Sequence, residues 1–186
     1  MMTARSGVKD EQGNCFEMVS IPGPFAKLCG IEVTESDALG SQTSSIVFVD
    51  QSDQIDQHSK PYPISGWADL IDPKTAVPIA VYPDRFYAGA PAITRNDWQN
   101  GSVWYVGTML ELDGYEDLLE EILQETSTPI EHLPKGMEKT IRKNDQNTYA
   151  FYFNNTDQPM AVEINGRKIE FKPVEAKILK NNQAWL

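Results

Sequence analysis

The chain has 186 residues, a length that suits one large domain or two small ones and can bury a substantial core. Hydrophobic residues make up 40% and aromatic residues 10%, so disorder of the whole chain is excluded. No apolar run approaches the roughly 20 residues of a membrane-spanning helix, and we expect no membrane association. The opening sequence MMTARSGVKDEQGN lacks the apolar stretch of a secretory signal, which makes the cytoplasm the expected location.

The formal net charge of −11 is unevenly distributed along the chain. Residues 1–134 hold 7 basic and 21 acidic side chains, a net charge of −14, whereas residues 135–186 hold 9 and 6, a net charge of +3. This change of sign suggests two structural units. The acidic part repels phosphates and the basic excess of the tail is diffuse, so we expect no nucleic-acid partner.

The first part of the chain predicts short elements separated by turns. A helical turn is predicted over Phe25–Cys29, ended by Gly30, and a strand begins at Ile31. A second short strand is predicted over Ser45–Val49. The polar loop that follows has aspartates at every third position, at 50, 53 and 56. A calcium loop needs ligands at every second position and a distal glutamate, so we predict no metal site there.

From Trp67 onward the sequence becomes rich in β-branched and aromatic residues. WADLI, VPIAVY, PAITRN and SVWYVGT are predicted as four strands, separated by proline, glycine and aspartate. Asn100-Gly101 predicts a tight hairpin between the last two strands.

The segment DGYEDLLEEILQETS predicts the clearest helix of the chain. Asp113 is expected as the N-cap, Glu116 as the second member of a capping box, and Leu112 as the residue of a hydrophobic staple. Helical spacing predicts one buried stripe, formed by Tyr115, Leu118, Leu119, Ile122 and Leu123. The opposite face carries Glu116, Asp117, Glu120 and Glu121. Carboxylates at this spacing suggest acid/base chemistry, but a solvated helix face is the better interpretation.

The segment TSTPIEHLPKG is predicted as a linker, because it contains two prolines and lies beside the change of charge. Five strands are predicted beyond it, in the segments MEKTIRK, TYAFYFNN, MAVEI, RKIEFK and AKILK. Asn165-Gly166 predicts a hairpin between the third and the fourth. Alternating apolar and polar residues give these strands one buried and one solvated face, as in a small antiparallel β module.

No catalytic constellation emerges from the remaining reactive residues. Cys15 and Cys29 lack metal-ligand spacing and are predicted to be two reduced, packed thiols. The histidines, His58 and His132, lie in the polar loop and in the linker, and nothing in the sequence brings either to Cys29. Phosphate-binding and dinucleotide-binding motifs are absent. We therefore predict no catalytic, cofactor-binding or metal-binding residue in this chain.

The most distinctive segments are RSGVKDE, FYAGAPAITRN with the following G-x-x-x-Y-V-G-T, and the F-x-F-N-N-T of the tail. They resemble the C-terminal part of family-42 glycoside hydrolases, which are β-galactosidases. The resemblance extends over nearly the whole chain. It implies a fold that is α/β plus all-β. Residues 1–129 would be the second half of a flavodoxin-like or amidotransferase-like trimerisation domain, and residues 135–186 a small antiparallel, Greek-key-like β domain.

The resemblance also implies which functional parts this chain lacks. Retaining hydrolysis in the family uses two glutamates roughly 5–5.5 Å apart. Both belong to a (β/α)8 barrel, a fold of about 250 residues that has no room here. Neither glutamate maps onto this sequence. We expect a non-catalytic assembly portion that self-associates, as a trimer in the family, or that pairs with a separate barrel-containing chain. The alternative is a carbohydrate-binding module that stacks sugars on Trp67, Trp98, Trp104 and several tyrosines.

Overall fold

The computed structural model describes residues 1–16, 20–49, 60–164, 166–181 and 183–185. The chain forms two compact units, Met1–Thr126 and Ser127–Leu186. The division falls within the segment that the sequence predicts as a linker. Asp50, Asp53, Asp56 and His58 lie outside the described residues.

The first unit is built mainly from strands. Its elements are β1 (Met2–Thr3), a 3-10 turn (Gly23–Phe25), α1 (Ala26–Cys29), β2 (Ile31–Phe48), β3 (Tyr62–Pro73), β4 (Val77–Val81), β5 (Pro91–Trp98), β6 (Gly101–Val106), β7 (Thr108–Leu110) and α2 (Leu112–Glu125). The strands form one mixed sheet in the order β1-β6-β5-β4-β2-β3-β7. β1 and β6 are parallel, and the other neighbours are antiparallel. The unit is therefore mostly β, and the expected α/β character appears only in α2 and in the β1–β6 pair.

Gly107 brings the two ends of this sheet close together. It joins β6, which pairs with β5, directly to β7, which pairs with β3. Its N–H donates to the Ala92 carbonyl at 2.8 Å, and its own carbonyl accepts from the Asp69 N–H at 2.7 Å. A Cβ at this position would lie 3.1 Å from the Ala92 oxygen. The backbone thus passes at Gly107 from pairing with β5 to pairing with β3. Because β7 is the last strand in the order of the sheet and β6 lies near its other end, the sheet is almost closed.

Two strand predictions needed correction. The strand predicted from Ile31 and the one predicted over Ser45–Val49 are parts of a single strand of 18 residues, β2. Its pairing with β3 shifts register near Gly40, which has φ +59°. Bulges let a strand bend without ending, and the polar residues at this bend made the sequence look like two strands. β1 and β7 were not predicted, because they are only two and three residues long.

The predicted hairpin between β5 and β6 is confirmed, with a small correction to its turn. Trp98 pairs with Gly101, so the two turn residues are Gln99 and Asn100. Gln99 takes the left-handed conformation, with φ +51°. Gly101 is the first residue of β6 and adopts no positive φ.

The helical turn predicted before Gly30 is confirmed, and Gly30 ends it with φ +67°. The Gly30 carbonyl then accepts three successive N–H groups, from Lys74, Thr75 and Ala76, at 2.8, 3.0 and 3.2 Å. A Cβ on Gly30 would lie 2.3 Å from Thr75 Oγ1 and 2.6 Å from Asn96 Oδ1. Both the backbone conformation and the lack of space therefore require glycine here.

The helix α2 begins earlier than the sequence predicts. Its N-cap is Glu111, with no side-chain capping bond, so the predicted N-cap at Asp113 and its capping box with Glu116 are wrong. Leu112 is the first helical residue and is 55% exposed, which argues against its role as a staple. The backbone supplies the contacts instead, because the Glu111 carbonyl accepts the N–H groups of Gly114 and Tyr115.

The buried stripe of α2 is narrower than predicted. Leu118 is fully buried, and Tyr115 and Ile122 are partly buried against the same core. Leu119 is 41% exposed. The helix packs on β3 and β7. Its Leu118 joins a core drawn from all the longer strands of the sheet, including Leu39, Ile46, Ile64, Tyr82, Ile93, Trp104 and Val106.

The second unit is all-β. Its strands are β8 (Met137–Lys143), β9 (Thr148–Asn154), β10 (Met160–Ile164), β11 (Arg167–Phe171), β12 (Ala176–Lys180) and β13 (Gln183–Trp185). The five predicted strands are confirmed, and β13 is an additional one. They form a four-stranded antiparallel sheet in the order β13-β12-β9-β8 and a separate β10–β11 hairpin. Ile164 pairs with Arg167, so the predicted hairpin between these two strands is confirmed, while Asn165 lies outside the described residues.

Asn154 of the F-x-F-N-N-T motif holds the loops of this unit together. It is 1% exposed, and its Nδ2 donates to the carbonyls of Gln158 and Lys172 at 2.7 and 2.8 Å. Its Oδ1 accepts from the N–H and the hydroxyl of Thr156 at 3.0 and 2.7 Å. All four hydrogen-bonding positions of the buried amide are used, so this motif has a structural role.

Candidate functional site

The most concentrated polar chemistry of the first unit is a fully buried carboxylate. Asp69 of β3 is 0% exposed. Its Oδ1 accepts from Ser36 Oγ and from Trp67 Nε1, both at 2.7 Å, and its Oδ2 accepts from the Tyr105 hydroxyl at 2.8 Å. We call Asp69 and these three donors the Asp69 cluster. Because a buried carboxylate is tolerated when several donors satisfy it, this geometry is that of a structural anchor joining β2, β3 and β6.

The tyrosines around Asp69 stay protonated at neutral pH. Burial raises the pKa of Tyr105, and the negative charge of Asp69 raises it further. Burial likewise raises the pKa of Tyr82, whose hydroxyl donates to the Asp69 carbonyl at 3.1 Å. Both hydroxyls are therefore fixed donors and do not act as bases.

The RSGVKDE segment lies beside this cluster. The Arg5 guanidinium lies 5.1 Å from the centre of the Trp67 ring. A Cβ on Gly7 would lie 2.0 Å from the Pro22 carbonyl oxygen, so glycine permits the close approach of these two segments. The Asp10 side chain accepts the N–H of Asn14 at 2.8 Å, and this hydrogen bond lowers the Asp10 pKa. These contacts give the segment a structural role in placing the N-terminal residues against the sheet.

A second group of polar contacts, around Glu125, fixes the end of α2 to the sheet. Glu125 Oε1 accepts two hydrogen bonds from Arg95, at 3.1 and 2.5 Å, and its Oε2 accepts from Trp104 Nε1 at 3.0 Å. The hydrogen bond from Arg95 lowers the Glu125 pKa. Burial, and next the charge of Glu125, raise the pKa of Glu121. Glu125 is thus committed to holding the end of the helix against the sheet.

Asp117, another carboxylate of the predicted solvated face, also has a packing role. It accepts the Tyr62 hydroxyl at 2.5 Å and raises the Tyr62 pKa to about 12. Asp113 lies 3.7 Å from Lys60 in an exposed ion pair.

The three tryptophans proposed as sugar platforms have neighbours within the chain. Trp104 is 3% exposed and its indole is bonded to Glu125. Trp67 lies under Arg5, and Lys27 lies 5.8 Å from the ring centre of Trp98. Trp98 contributes to a recess of about 360 Å³ that Lys27, Lys74 and others also line. A larger groove, of about 550 Å³, lies in the second unit between β11 and β12, with Phe171 and Lys177 in its lining.

Both cysteines are free thiols, as predicted, but the predicted packing holds only for Cys29 and is wrong for Cys15. Cys15 is exposed, whereas Cys29 is buried and its burial raises its pKa to about 11. A thiol with this pKa is protonated at neutral pH and is a poor nucleophile. Among the described residues, no group of three histidine, cysteine or acidic side chains could hold a metal ion. Within the same residues, no helix is long and apolar enough to cross a membrane.

One aromatic side chain of the first unit is largely exposed, in contrast to the buried tyrosines and Trp104. Phe86, in the connection between β4 and β5, is 77% exposed. Its ring meets Tyr87 edge-on at 4.8 Å, and Tyr87 in turn meets Tyr82 at 5.0 Å. Phe86 belongs to the distinctive motif FYAGAPAITRN, but its exposure depends on the tertiary packing of the loop and has no local sequence signal.

The nearly closed sheet and the hydrogen-bonded Asp69 cluster define a β-rich structural module. Residues 1–129 match the family model described as "Beta-galactosidase trimerisation domain". The chain therefore belongs to this family, and the resemblance found in the sequence is confirmed.

Individual relatives agree with the family model. The chain is 33% identical to β-galactosidase BgaA of Clostridium cellulovorans over 193 aligned positions, which cover 97% of this chain and 28% of that protein. It is 36% identical to β-galactosidase LacZ of Lactobacillus acidophilus over 124 positions, which cover 67% of this chain and 17% of that protein. The chain thus spans about a quarter or less of the length of these relatives.

Solved structures show the same relationship. The crystal structure of the cold-adapted β-galactosidase from Rahnella sp. R3 matches with a TM-score of 0.85 and 27% identity, covering 96% of this chain and 28% of that one. The β-galactosidase from Bacillus circulans matches with a TM-score of 0.81 at 24% identity, over the same shares of the two chains. The latter likeness concerns the fold alone.

Proposed function

We propose that this chain is a non-catalytic assembly portion of a retaining β-galactosidase. The observation that carries the proposal is the match of residues 1–129 to a trimerisation domain, in a chain that spans only about a quarter of its relatives. The Asp69 cluster supports it, because the buried carboxylate is satisfied by three hydrogen bonds from Ser36, Trp67 and Tyr105. In this proposal the chain self-associates and holds catalytic barrels that other residues provide.

The proposal includes a more specific origin for the mixed sheet. We infer that it is part of an amidotransferase-like α/β domain. The parallel pairing of β1 with β6 supports this inference, because a strand at a parallel edge is typical of sheets built with crossover connections. A small Greek-key-like domain over residues 135–186 is the corresponding proposal for the second unit, and the cytoplasm is the proposed location.

Two measurements on the purified 186-residue chain test the function. Multi-angle light scattering should give a mass above that of the 20.9 kDa monomer, with a trimer as the expected state. A chromogenic β-galactoside should not be hydrolysed, because the chain offers no match to the family's two catalytic glutamates. A monomer at all concentrations would contradict the assembly role. Hydrolysis that survives removal of contaminating enzyme would contradict the non-catalytic role.

A separate barrel-containing chain is the other proposed partner. Coexpression of the chain with a β-galactosidase barrel should then produce a stable complex with restored hydrolysis. Carbohydrate binding is the alternative function, and the recess beside Trp98 would be its place. Saturable binding of galactose or lactose in a calorimetric titration, lost in Trp98→Ala, would favour that alternative over an assembly role.

A further inference from the structure

Phe86 is the most exposed aromatic side chain among the described residues of the first unit. It is 77% exposed, compared with 40% for Phe25. Exposed aromatic residues of this kind are enriched at the centres of protein interfaces, where they insert into a partner. The side chain lies in residues 82–90, which we call the Phe86 loop.

The Phe86 loop is tied down on both sides of the exposed ring. Its ends are joined by hydrogen bonds from the Tyr82 N–H to the Ala90 carbonyl at 3.0 Å and from the Gly89 N–H to the Tyr82 carbonyl at 2.8 Å. Arg85 donates to Gln42 Oε1 at 2.9 Å. The loop is therefore held in place before any partner binds, which reduces the entropy lost on association.

The neighbours of Phe86 contribute to the same anchoring. Arg85 also donates to the Thr43 carbonyl at 3.2 Å, and the Tyr87 hydroxyl donates to Asp37 Oδ2 at 3.1 Å. Asp37 lies 3.9 Å from the Arg85 guanidinium as well. The exposed ring of Phe86 is therefore surrounded by polar groups that are hydrogen-bonded within the chain, and an apolar centre with a polar rim is typical of a protein interface.

Charge distinguishes the Phe86 loop from the exposed apolar side chains of α2. Leu112 and Leu119 are exposed on that helix, but Leu112–Glu125 contains six acidic residues and no basic one. Two copies of such a helix repel each other. Beside Phe86, Arg85 offsets the charge of Asp37. In a chain of net charge −11, a contact between copies is favoured where acidic charge is locally compensated.

We propose that the Phe86 loop is a self-association contact, in which Phe86 inserts into a different surface of a second copy of this chain. The proposal rests on the assembly function proposed above. A ring of three subunits uses such a head-to-tail contact between two different surfaces. Phe86 is then the centre of the interface and is buried in the assembly.

The test compares three variants of the 186-residue chain by sedimentation velocity over a wide concentration range. Phe86→Ser should weaken self-association by about 30-fold or more, the effect of losing an aromatic residue at an interface centre. Phe86→Tyr should retain association. Leu112→Ser removes an exposed apolar side chain from the acidic helix and should leave association unchanged. Circular dichroism of each variant checks that the fold is intact.

A photocrosslinking amino acid at position 86 identifies the occupant directly. Irradiation of the purified chain should give a covalent dimer of this chain, whereas the same amino acid at position 112 should give none. Crosslinking of position 86 only to an added barrel-containing chain would overturn the proposal and assign the loop to that partner.

The outcomes separate this proposal from the proposed function. If the unaltered chain is monomeric throughout, the assembly function fails and this contact with it. If the unaltered chain and Phe86→Ser associate equally, or if Leu112→Ser is the weaker variant, only the Phe86 contact is wrong.

Discussion

Removing the Asp69 carboxylate should destabilise the chain more than any comparable change of an exposed acid. Asp69→Ala deletes the acceptor of three hydrogen bonds and leaves the buried Tyr105 hydroxyl without this partner. Breaking a buried charged network in this way costs about 3–5 kcal/mol of unfolding free energy. A typical domain has about 5–15 kcal/mol in total. Asp69→Asn keeps the size and one oxygen, and we expect a loss of about 1–3 kcal/mol.

Urea unfolding at neutral pH, followed by circular dichroism, measures these losses. The matched control is Asp97→Ala on β5, since the Asp97 side chain is 82% exposed and its ion pair with Arg95 should contribute less than about 1 kcal/mol. An unchanged dependence on urea concentration would show that the fold and the two-state transition persist. A free energy of unfolding for Asp69→Ala within about 1 kcal/mol of that of the unaltered chain would show that the Asp69 cluster is not a structural anchor.

Three further outcomes are expected. Gly30→Ala should lower the free energy of unfolding in urea by about 2 kcal/mol or more, because a Cβ at this position has no space and the φ angle is positive. Gly101→Ala is the control and should be nearly neutral, because its Cβ would have no atom within 4 Å. Equal losses of stability in the two variants would contradict the steric argument. Because the pKa of Glu125 is lowered in the folded protein, Glu125 stabilises the fold above its unfolded pKa, and this stabilisation is lost as the pH falls through the folded pKa. Glu125→Gln should therefore make the free energy of unfolding depend less on pH in the acid range. In the folded protein a thiol reagent should modify Cys15 rapidly and Cys29 only on unfolding, and Cys15→Ser should abolish the rapid phase; rapid labelling of Cys29 would contradict its burial.

Local sequence signals predicted the elements that depend on local chemistry. The strands from Trp67 onward and the helical turn ended by Gly30 follow from residue preference and from turn residues. The hairpin at Asn100-Gly101 was also found, although its turn lies one residue earlier. Turn chemistry favours glycine at a positive φ, but the register of β5 and β6 placed Gln99 there instead.

The elements that were missed depend on distant contacts. β2 continues through a polar bend because β3 pairs with it on both sides of that bend. The N-terminus of α2 is set by the backbone leaving β7, and the expected capping residues therefore fall inside the helix. Asp69 looks like an ordinary polar residue of an alternating strand, since its donors Ser36 and Tyr105 are 33 and 36 residues away.

Within the first unit, the sequence segments that carry the family resemblance meet around one buried region, and this accounts for their residue types. Arg5 of RSGVKDE covers Trp67, whose indole donates to Asp69. Tyr105 of G-x-x-x-Y-V-G-T donates to the same carboxylate, and Gly107 of that motif nearly closes the sheet beside it.

FYAGAPAITRN supplies the strand β5 that lies against this region, and its first residue is the exposed Phe86. A motif can therefore serve two roles, with most of its residues fixing the sheet and one left for a partner. Aromatic richness in a sheet is weak support for a sugar site when the ring faces already have neighbours within the chain. The exposed member of the motif is the residue to examine for function, because the buried members are committed to the fold.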